Sequence, residues 1–124
     1  MTTRVPARGR NDLQISVRRV GRRFLVLELS GLLNYYTAEL LTAAYDDLVE
    51  AEGASLHRLV LDLRSVHGFD GTGAAALLHV VRDAETRPFG FLVADRPERP
   101  TYIATGLRER LKFLTPDQIE RMGL

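Results

Sequence analysis

Apolar and polar positions alternate with period two near the start of the chain. Leu13, Ile15 and Val17 are apolar and the residues between them are polar, a pattern typical of a strand with one side facing water. A polar turn follows, and residues 24–29 form a second, more apolar run. Two such runs joined by a short turn predict a β-hairpin.

The period then changes to that of a helix in two places. Thr37 stands at an N-cap position before apolar residues at helical spacing, and this predicted helix ends near Gly53. A second helix is predicted over residues 73–87, and Pro88 ends it. Between the helices, residues 56–63 are apolar on both faces, as expected of a central strand, and residues 89–94 predict another strand.

The last part of the chain predicts shorter elements: helices at residues 102–105 and 116–122 and a short strand at residues 111–114. Strand–helix–strand connections of this length imply parallel neighbours with right-handed crossovers. The pattern therefore predicts an α/β fold, with a mixed sheet of four to five strands covered on one face by about four helices. We expect a single domain over residues 11–124, preceded by a flexible, arginine-rich tail at residues 1–10.

Composition argues against several classes of protein. A net charge of +1 over 124 residues gives no strong attraction to nucleic acid or to an anionic membrane. The sequence has no cysteine, so it has no disulfide framework and no thiolate metal site. Neither the roughly 18 apolar residues of a membrane span nor the apolar run of a secretory signal is present. We therefore expect a cytoplasmic protein that contacts neither nucleic acid nor membrane directly.

The most informative stretch is the junction between the central strand and the second helix, Asp70-Gly71-Thr72-Gly73. Asp70 can accept hydrogen bonds from the first free amides of the helix, as N-cap residues do. Gly71 and Gly73 allow a sharp turn and leave the Thr72 hydroxyl uncrowded at the positive end of the helix. Such a hydroxyl can be a helix cap, a nucleophile or the acceptor of a phosphate.

As a nucleophile, Thr72 would need a base. The three histidines of the chain are the first candidates for metal ligands, but they show no metal-ligand spacing. His67 is close to Thr72 in sequence, but a lone histidine in a loop is more often solvated. The Gly-Lys-Ser/Thr ending of a phosphate-binding loop is missing, and Asp62 is expected to be a structural hydrogen-bonding residue. We therefore expect no enzyme, with no catalytic residue, no metal and no cofactor, and keep a small hydrolase using Thr72 and His67 as a minor alternative.

Several motifs follow one another along the chain: a hairpin, Gly31, Asn34, Thr37-Ala38 at the start of a helix, Leu59-Val-Leu-Asp-Leu, Phe69-Asp70-Gly71-Thr72-Gly73 and Thr105-Gly106-Leu107. This succession resembles the STAS family, the anti-sigma factor antagonists of bacteria and the related domains of sulfate transporters. The resemblance covers roughly residues 11–115 and implies a STAS-like α/β fold. Its most specific part is residues 69–73, which are similar to the family's Asp-Ser-Ser-Gly phosphorylation loop.

In that family, a partner protein that is both a kinase and an anti-sigma factor phosphorylates the third residue of the loop. The resemblance implies that Thr72 is the phosphoacceptor and that the partner is an anti-sigma factor of the serine/threonine kinase type. The unmodified protein would bind this partner and free a sigma factor, so that transcription is regulated. A cognate phosphatase would reverse the modification.

Two positions depart from the family pattern: Gly71 replaces the usual serine before the acceptor, and Asn34 replaces the usual acidic residue after the second strand. Asn34 is expected to close a turn, and Tyr35 and Tyr36 beside it are candidate contact aromatics, although one of them can equally belong to the core. The predicted partner-binding residues are Asn34, Tyr35, Tyr36, Asp70, Gly71 and Gly73. Two alternatives stay open: a Thr72 that only helps to cap the helix, and a STAS-like subunit of a scaffold or lipid-transport complex that is never phosphorylated.

Overall fold

Five strands form one mixed sheet in a computed structural model that describes residues 2–5 and 12–124. In chain order they are β1 (Thr2–Val5), β2 (Leu13–Gly21), β3 (Phe24–Leu33), β4 (Arg58–Phe69) and β5 (Gly90–Ala94). Their order in the sheet is the same: β1, β2 and β3 pair antiparallel, and β3, β4 and β5 pair parallel. The predicted hairpin and the predicted parallel neighbours are confirmed.

The helices are α1 (Ala38–Glu52), α2 (Gly71–Ala84), α3 (Pro100–Thr105) and α4 (Pro116–Arg121), and a 3₁₀ turn covers Leu107–Glu109. α1 connects β3 to β4, and α2 connects β4 to β5, so each crosses over the sheet between parallel strands. The predicted short strand at residues 111–114 is reduced to a single bridge between Val93 and Phe113. None of the described helices is both long and apolar enough to cross a bilayer.

The start of the chain differs from the prediction. Thr2–Val5 pair antiparallel with residues 15–18 of β2, where the sequence predicts part of a flexible tail. This pairing supplies hydrogen-bond partners to β2, which would otherwise be the unpaired edge of the sheet. The rest of the predicted tail, residues 1 and 6–10, lies outside the described residues.

Buried apolar residues divide between the two faces of the sheet. α1, α2 and α3 pack on one face, over a main core that includes Leu27, Tyr45, Leu61, Leu77 and Tyr102. On the other face, Ile119 and Met122 of α4 and its flank pack against a smaller cluster of Val26, Val60, Ala94 and Leu114. Successive strand residues point to opposite faces, so the face under α1, α2 and α3 holds the main core and the apolar residues between those positions form the second cluster. α4 thus lies on the face that the prediction leaves without helices.

The parallel pairing of β3 and β4 positions the candidate site. Because parallel strands end at the same edge of a sheet, the loops that lead into α1 and α2 lie side by side. β4 runs to Phe69, well past the end at residue 63 that the sequence predicts, but β5 pairs with it only as far as Asp62. The last part of β4 therefore lacks a neighbouring strand on the β5 side.

Candidate functional site

Asp70 ties the start of α2 to the neighbouring loop. Its side chain is the N-cap of α2, and its Oδ1 accepts a hydrogen bond from the Gly73 amide at 2.9 Å, as the sequence predicts. Its Oδ2 accepts a second hydrogen bond, from the Tyr35 amide at 3.2 Å. One carboxylate thus caps α2 and also holds the loop before α1 against it.

The two glycines on either side of Thr72 have different roles. A Cβ on Gly73 would lie 2.3 Å from the backbone oxygen of Leu33, so only glycine allows α2 to approach the end of β3 this closely. A Cβ on Gly71 would meet nothing within 4 Å. The structure therefore has room at Gly71 for the serine that is usual in the family, and the departure there is not imposed by packing.

Thr72 is the second residue of α2, and its side chain is exposed. Within the described residues its hydroxyl makes no hydrogen bond, because Asp70 already supplies the cap. The cap alternative for Thr72 is therefore wrong. What the structure presents is an unengaged hydroxyl at the positive end of a helix.

The turn before α1 is closed by its own side chains. The Asn34 Oδ1 accepts a hydrogen bond from the Tyr36 amide at 3.0 Å. The Thr37 hydroxyl accepts one from the Asn34 amide at 2.9 Å and donates one to the Leu32 carbonyl at 2.8 Å. Thr37 precedes α1 as predicted, but its hydroxyl bonds to the turn and to β3 and not to a helix amide.

Tyr35 and Tyr36 project from this turn into solvent. Their exposed fractions are 72% and 63%, so neither belongs to the core. Their rings meet edge to face with centroids 5.3 Å apart. The structure brings all the predicted site residues to one edge of the sheet, and we call this region the Thr72 surface: Asn34, Tyr35, Tyr36, Asp70, Gly71, Thr72 and Gly73.

A buried ion pair behind the Thr72 surface was not predicted from the sequence. Arg99 and Asp95 are 6% and 5% exposed, and they pair through two hydrogen bonds, Nε to Oδ2 at 2.7 Å and Nη2 to Oδ1 at 3.0 Å. The guanidinium also donates to two carbonyls of β4, those of Val66 at 2.8 Å and Leu63 at 3.1 Å. Arg99 therefore takes the place of the missing strand beside the end of β4.

α3 completes this support. The Thr101 hydroxyl donates to the Phe69 carbonyl at 2.9 Å, and the Tyr102 hydroxyl donates to the Asp95 carboxylate. Burial, together with this bond to Asp95, raises the pKa of Tyr102 above its usual range. The only sequence signal for this network is the i,i+4 spacing of Asp95 and Arg99.

The remaining candidates lie away from Thr72. His67 is exposed and lines a shallow depression with Gln14, Ser30 and Ser65, and no described hydrogen bond joins it to Thr72. Asp62 pairs with Arg64 through hydrogen bonds of 3.0 and 2.9 Å, the structural role that the sequence predicts. Among the described residues, no group of three or more histidine or acidic side chains could hold a metal ion.

The chain belongs to the STAS domain family, since the family model for the STAS domain matches residues 14–110. This confirms the family resemblance of the sequence motifs. Comparison with the sequences of curated proteins gives no significant match.

Solved structures share the fold. The anti-sigma factor antagonist SpoIIAA in its unphosphorylated form is similar with a TM-score of 0.63 and 16% identity, over 89% of this chain and 97% of that one. An anti-sigma factor antagonist from Mycobacterium paratuberculosis is similar with a TM-score of 0.68 and 22% identity, over 90% of this chain and 95% of that one. The murine anion transporter Slc26a9 is similar with a TM-score of 0.61 and 12% identity, over 98% of this chain but 22% of the transporter. Likeness at these identities establishes the fold.

Proposed function

We propose that this protein is a cytoplasmic anti-sigma factor antagonist that is switched off by phosphorylation of Thr72. In its unmodified form it binds an anti-sigma factor of the serine/threonine kinase type and so frees a sigma factor. The partner phosphorylates Thr72, and a cognate phosphatase restores the hydroxyl. The observation that carries the proposal is the exposed Thr72 hydroxyl, which makes no described hydrogen bond while Asp70 alone caps the helix.

The surroundings of Thr72 suit a protein partner. Tyr35 and Tyr36 expose two aromatic rings beside Asp70, and exposed aromatic side chains are common in the central part of interfaces. The backbone around them is fixed because its amides donate hydrogen bonds to the side chains of Asn34, Thr37 and Asp70. A preformed surface of this kind binds with little loss of conformational entropy.

A phosphate on Thr72 would change the charge of this surface. It adds about −1.5 to −2 charges at neutral pH, beside the carboxylate of Asp70. Within the protein, the dipole of α2 favours that charge. At an interface that fits a neutral hydroxyl, the same charge adds repulsion and desolvation, and a loss of about 3–4 kcal/mol would weaken binding by two to three orders of magnitude.

The test is phosphorylation by an anti-sigma factor kinase in the presence of ATP, followed by intact mass spectrometry. The wild-type chain should gain one phosphate, and Thr72→Ala should gain none. Thr86→Ala is the matched control, because Thr86 is an exposed threonine at the other end of α2 whose hydroxyl bonds to the Asp83 carbonyl. This control should be modified like the wild type.

Affinity measurements show whether phosphorylation of Thr72 also switches off binding. Thr72→Ala should retain affinity for the same kinase in calorimetry, whereas the phosphorylated chain should bind about a hundredfold more weakly or worse. Phosphorylation that left the affinity unchanged would refute the switch. A chain that is never modified would favour the STAS-like scaffold or transport-complex subunit.

A further inference from the structure

A second candidate site lies at the opposite end of α2 from Thr72. A cleft of about 290 Å³ opens between the C-terminal half of α2, the start of β5 and the segment after the 3₁₀ turn. Its apolar wall consists of Val81, Ala84, Phe89, Phe91 and Leu111. Val81 and Ala84 follow Thr72 by nine and twelve residues along α2, so the helix separates the cleft from Thr72 by about 14–18 Å.

The backbone of Phe91 offers hydrogen-bonding groups to this cleft. The Gly90 amide donates to the carbonyl of His57, the residue just before β4, at 2.9 Å, whereas the Val93 amide donates outward to the Lys112 carbonyl at 2.8 Å. Since successive residues of a parallel strand alternate between their two neighbours, the N–H and C=O of Phe91 point to the same outer edge as those of Val93. In the described part of the chain nothing bonds to them there.

One positive charge at the rim is uncompensated. Arg110 pairs with Glu85 at 3.0 Å, and Arg87 pairs with Asp83 at 3.0 Å. Lys112 also lines the cleft and is exposed, and no acidic group of the described residues pairs with it. The cleft therefore combines an apolar wall, an unpaired backbone donor and a single free ammonium group.

We propose that this cleft binds a monocarboxylate that carries an apolar chain. The carboxylate would accept hydrogen bonds from the Phe91 amide and the Lys112 ammonium group, and the hydrocarbon would lie against Val81, Ala84 and Leu111. A single free cation matches one negative charge, whereas a phosphate would bring more charge than the rim offers. The volume is at the small end of the range for ligand sites, which suits a medium-length chain.

Titration with octanoate, followed by amide chemical shifts of the ¹⁵N-labelled protein, tests the proposal without any protein partner. The Phe91 amide should shift saturably, together with Gly90 and Leu111. Acetate, which lacks the hydrocarbon, and octanol, which lacks the charge, should each bind at least tenfold more weakly. Equal affinity for octanoate and octanol, or shifts no larger than with acetate, would overturn the proposal.

Two exposed cations provide the matched variants. Lys112→Gln should weaken octanoate about tenfold, because it removes the charge-assisted hydrogen bond. Arg108→Gln, on the adjacent 3₁₀ turn and outside the cleft lining, should leave the affinity unchanged. An unchanged affinity in Lys112→Gln would refute the assigned carboxylate site. Retained amide spectra of both variants show that they fold.

Discussion

Two threonines stand at the starts of two parallel crossover helices, and the structure uses them in opposite ways. Thr37, before α1, is fully buried at 0% exposure, and its hydroxyl is engaged with Asn34 and with the Leu32 carbonyl. Thr72, in the first turn of α2, is exposed, and its hydroxyl is unengaged within the described residues. A threonine at a helix start is therefore available for chemistry only where another side chain has taken over the local hydrogen bonds.

The difference arises from the residue that begins each loop. Asn34 satisfies the Tyr36 amide but needs Thr37 to fasten the turn to β3. Asp70 reaches both the Gly73 amide and the Tyr35 amide by itself. The loop before α2 is thus held without its threonine, which leaves Thr72 free to be modified.

The largest expected loss of stability comes from removing the buried ion pair of Arg99 and Asp95, which supports the end of β4 before the loop that leads into α2. Arg99→Met should lower the free energy of unfolding by about 3–5 kcal/mol, because it leaves the buried carboxylate of Asp95 without its positively charged partner. Urea denaturation measures this loss. Arg96→Met is the control, since Arg96 is exposed in the same loop, and its effect should stay within about 0.5 kcal/mol.

A double variant sharpens this prediction. Asp95→Leu combined with Arg99→Met removes both charges, so it should lose less stability than the two single variants added together. If Arg99→Met and Arg96→Met were equally stable, Arg99 would not support the end of β4.

The next prediction compares the stability lost when each of the two threonines is replaced. Thr37→Val should lower the free energy of unfolding by about 1–3 kcal/mol, because it leaves the Asn34 amide and the Leu32 carbonyl without their partner. Thr72→Val should change it by no more than about 0.5 kcal/mol. Urea denaturation of the two variants under identical conditions checks the pair. Equal losses would contradict the contrast between an engaged and an unengaged hydroxyl.

Those features of the Thr72 surface and its sheet that arise from residues close together in the chain could be predicted from the sequence. The hairpin, the cap at Asp70 and the turn at Asn34 each involve residues a few positions apart, and the structure confirms them. The end of β4 could not be predicted, because Arg64, Ser65 and His67 interrupt the apolar run while the strand continues with polar side chains exposed.

The role of Arg99 is likewise invisible in the sequence. Two of its acceptors are carbonyls of Leu63 and Val66, more than thirty positions away along the chain. No periodicity or local motif encodes such a contact, since any residue type offers a carbonyl. The sequence shows which hydroxyl is exposed at the helix start but not what holds its loop in place.

The smallest expected loss of stability comes from replacing Asp70, and it tests whether Asp70 alone holds the loop before α2. Asp70→Ala should lower the free energy of unfolding by about 1 kcal/mol through loss of the cap, and Asp70→Asn by less, because asparagine also caps helices well. Amide hydrogen exchange distinguishes the two bonds of the carboxylate. Exchange at Gly73 should accelerate in Asp70→Ala only, whereas exchange at Tyr35 should accelerate in both, since the amide group of asparagine has one oxygen and Asp70 uses two. Unchanged exchange at Tyr35 in both variants would mean that the two loops are held together without Asp70. The lack of a hydrogen bond at the Thr72 hydroxyl could then not be explained by Asp70.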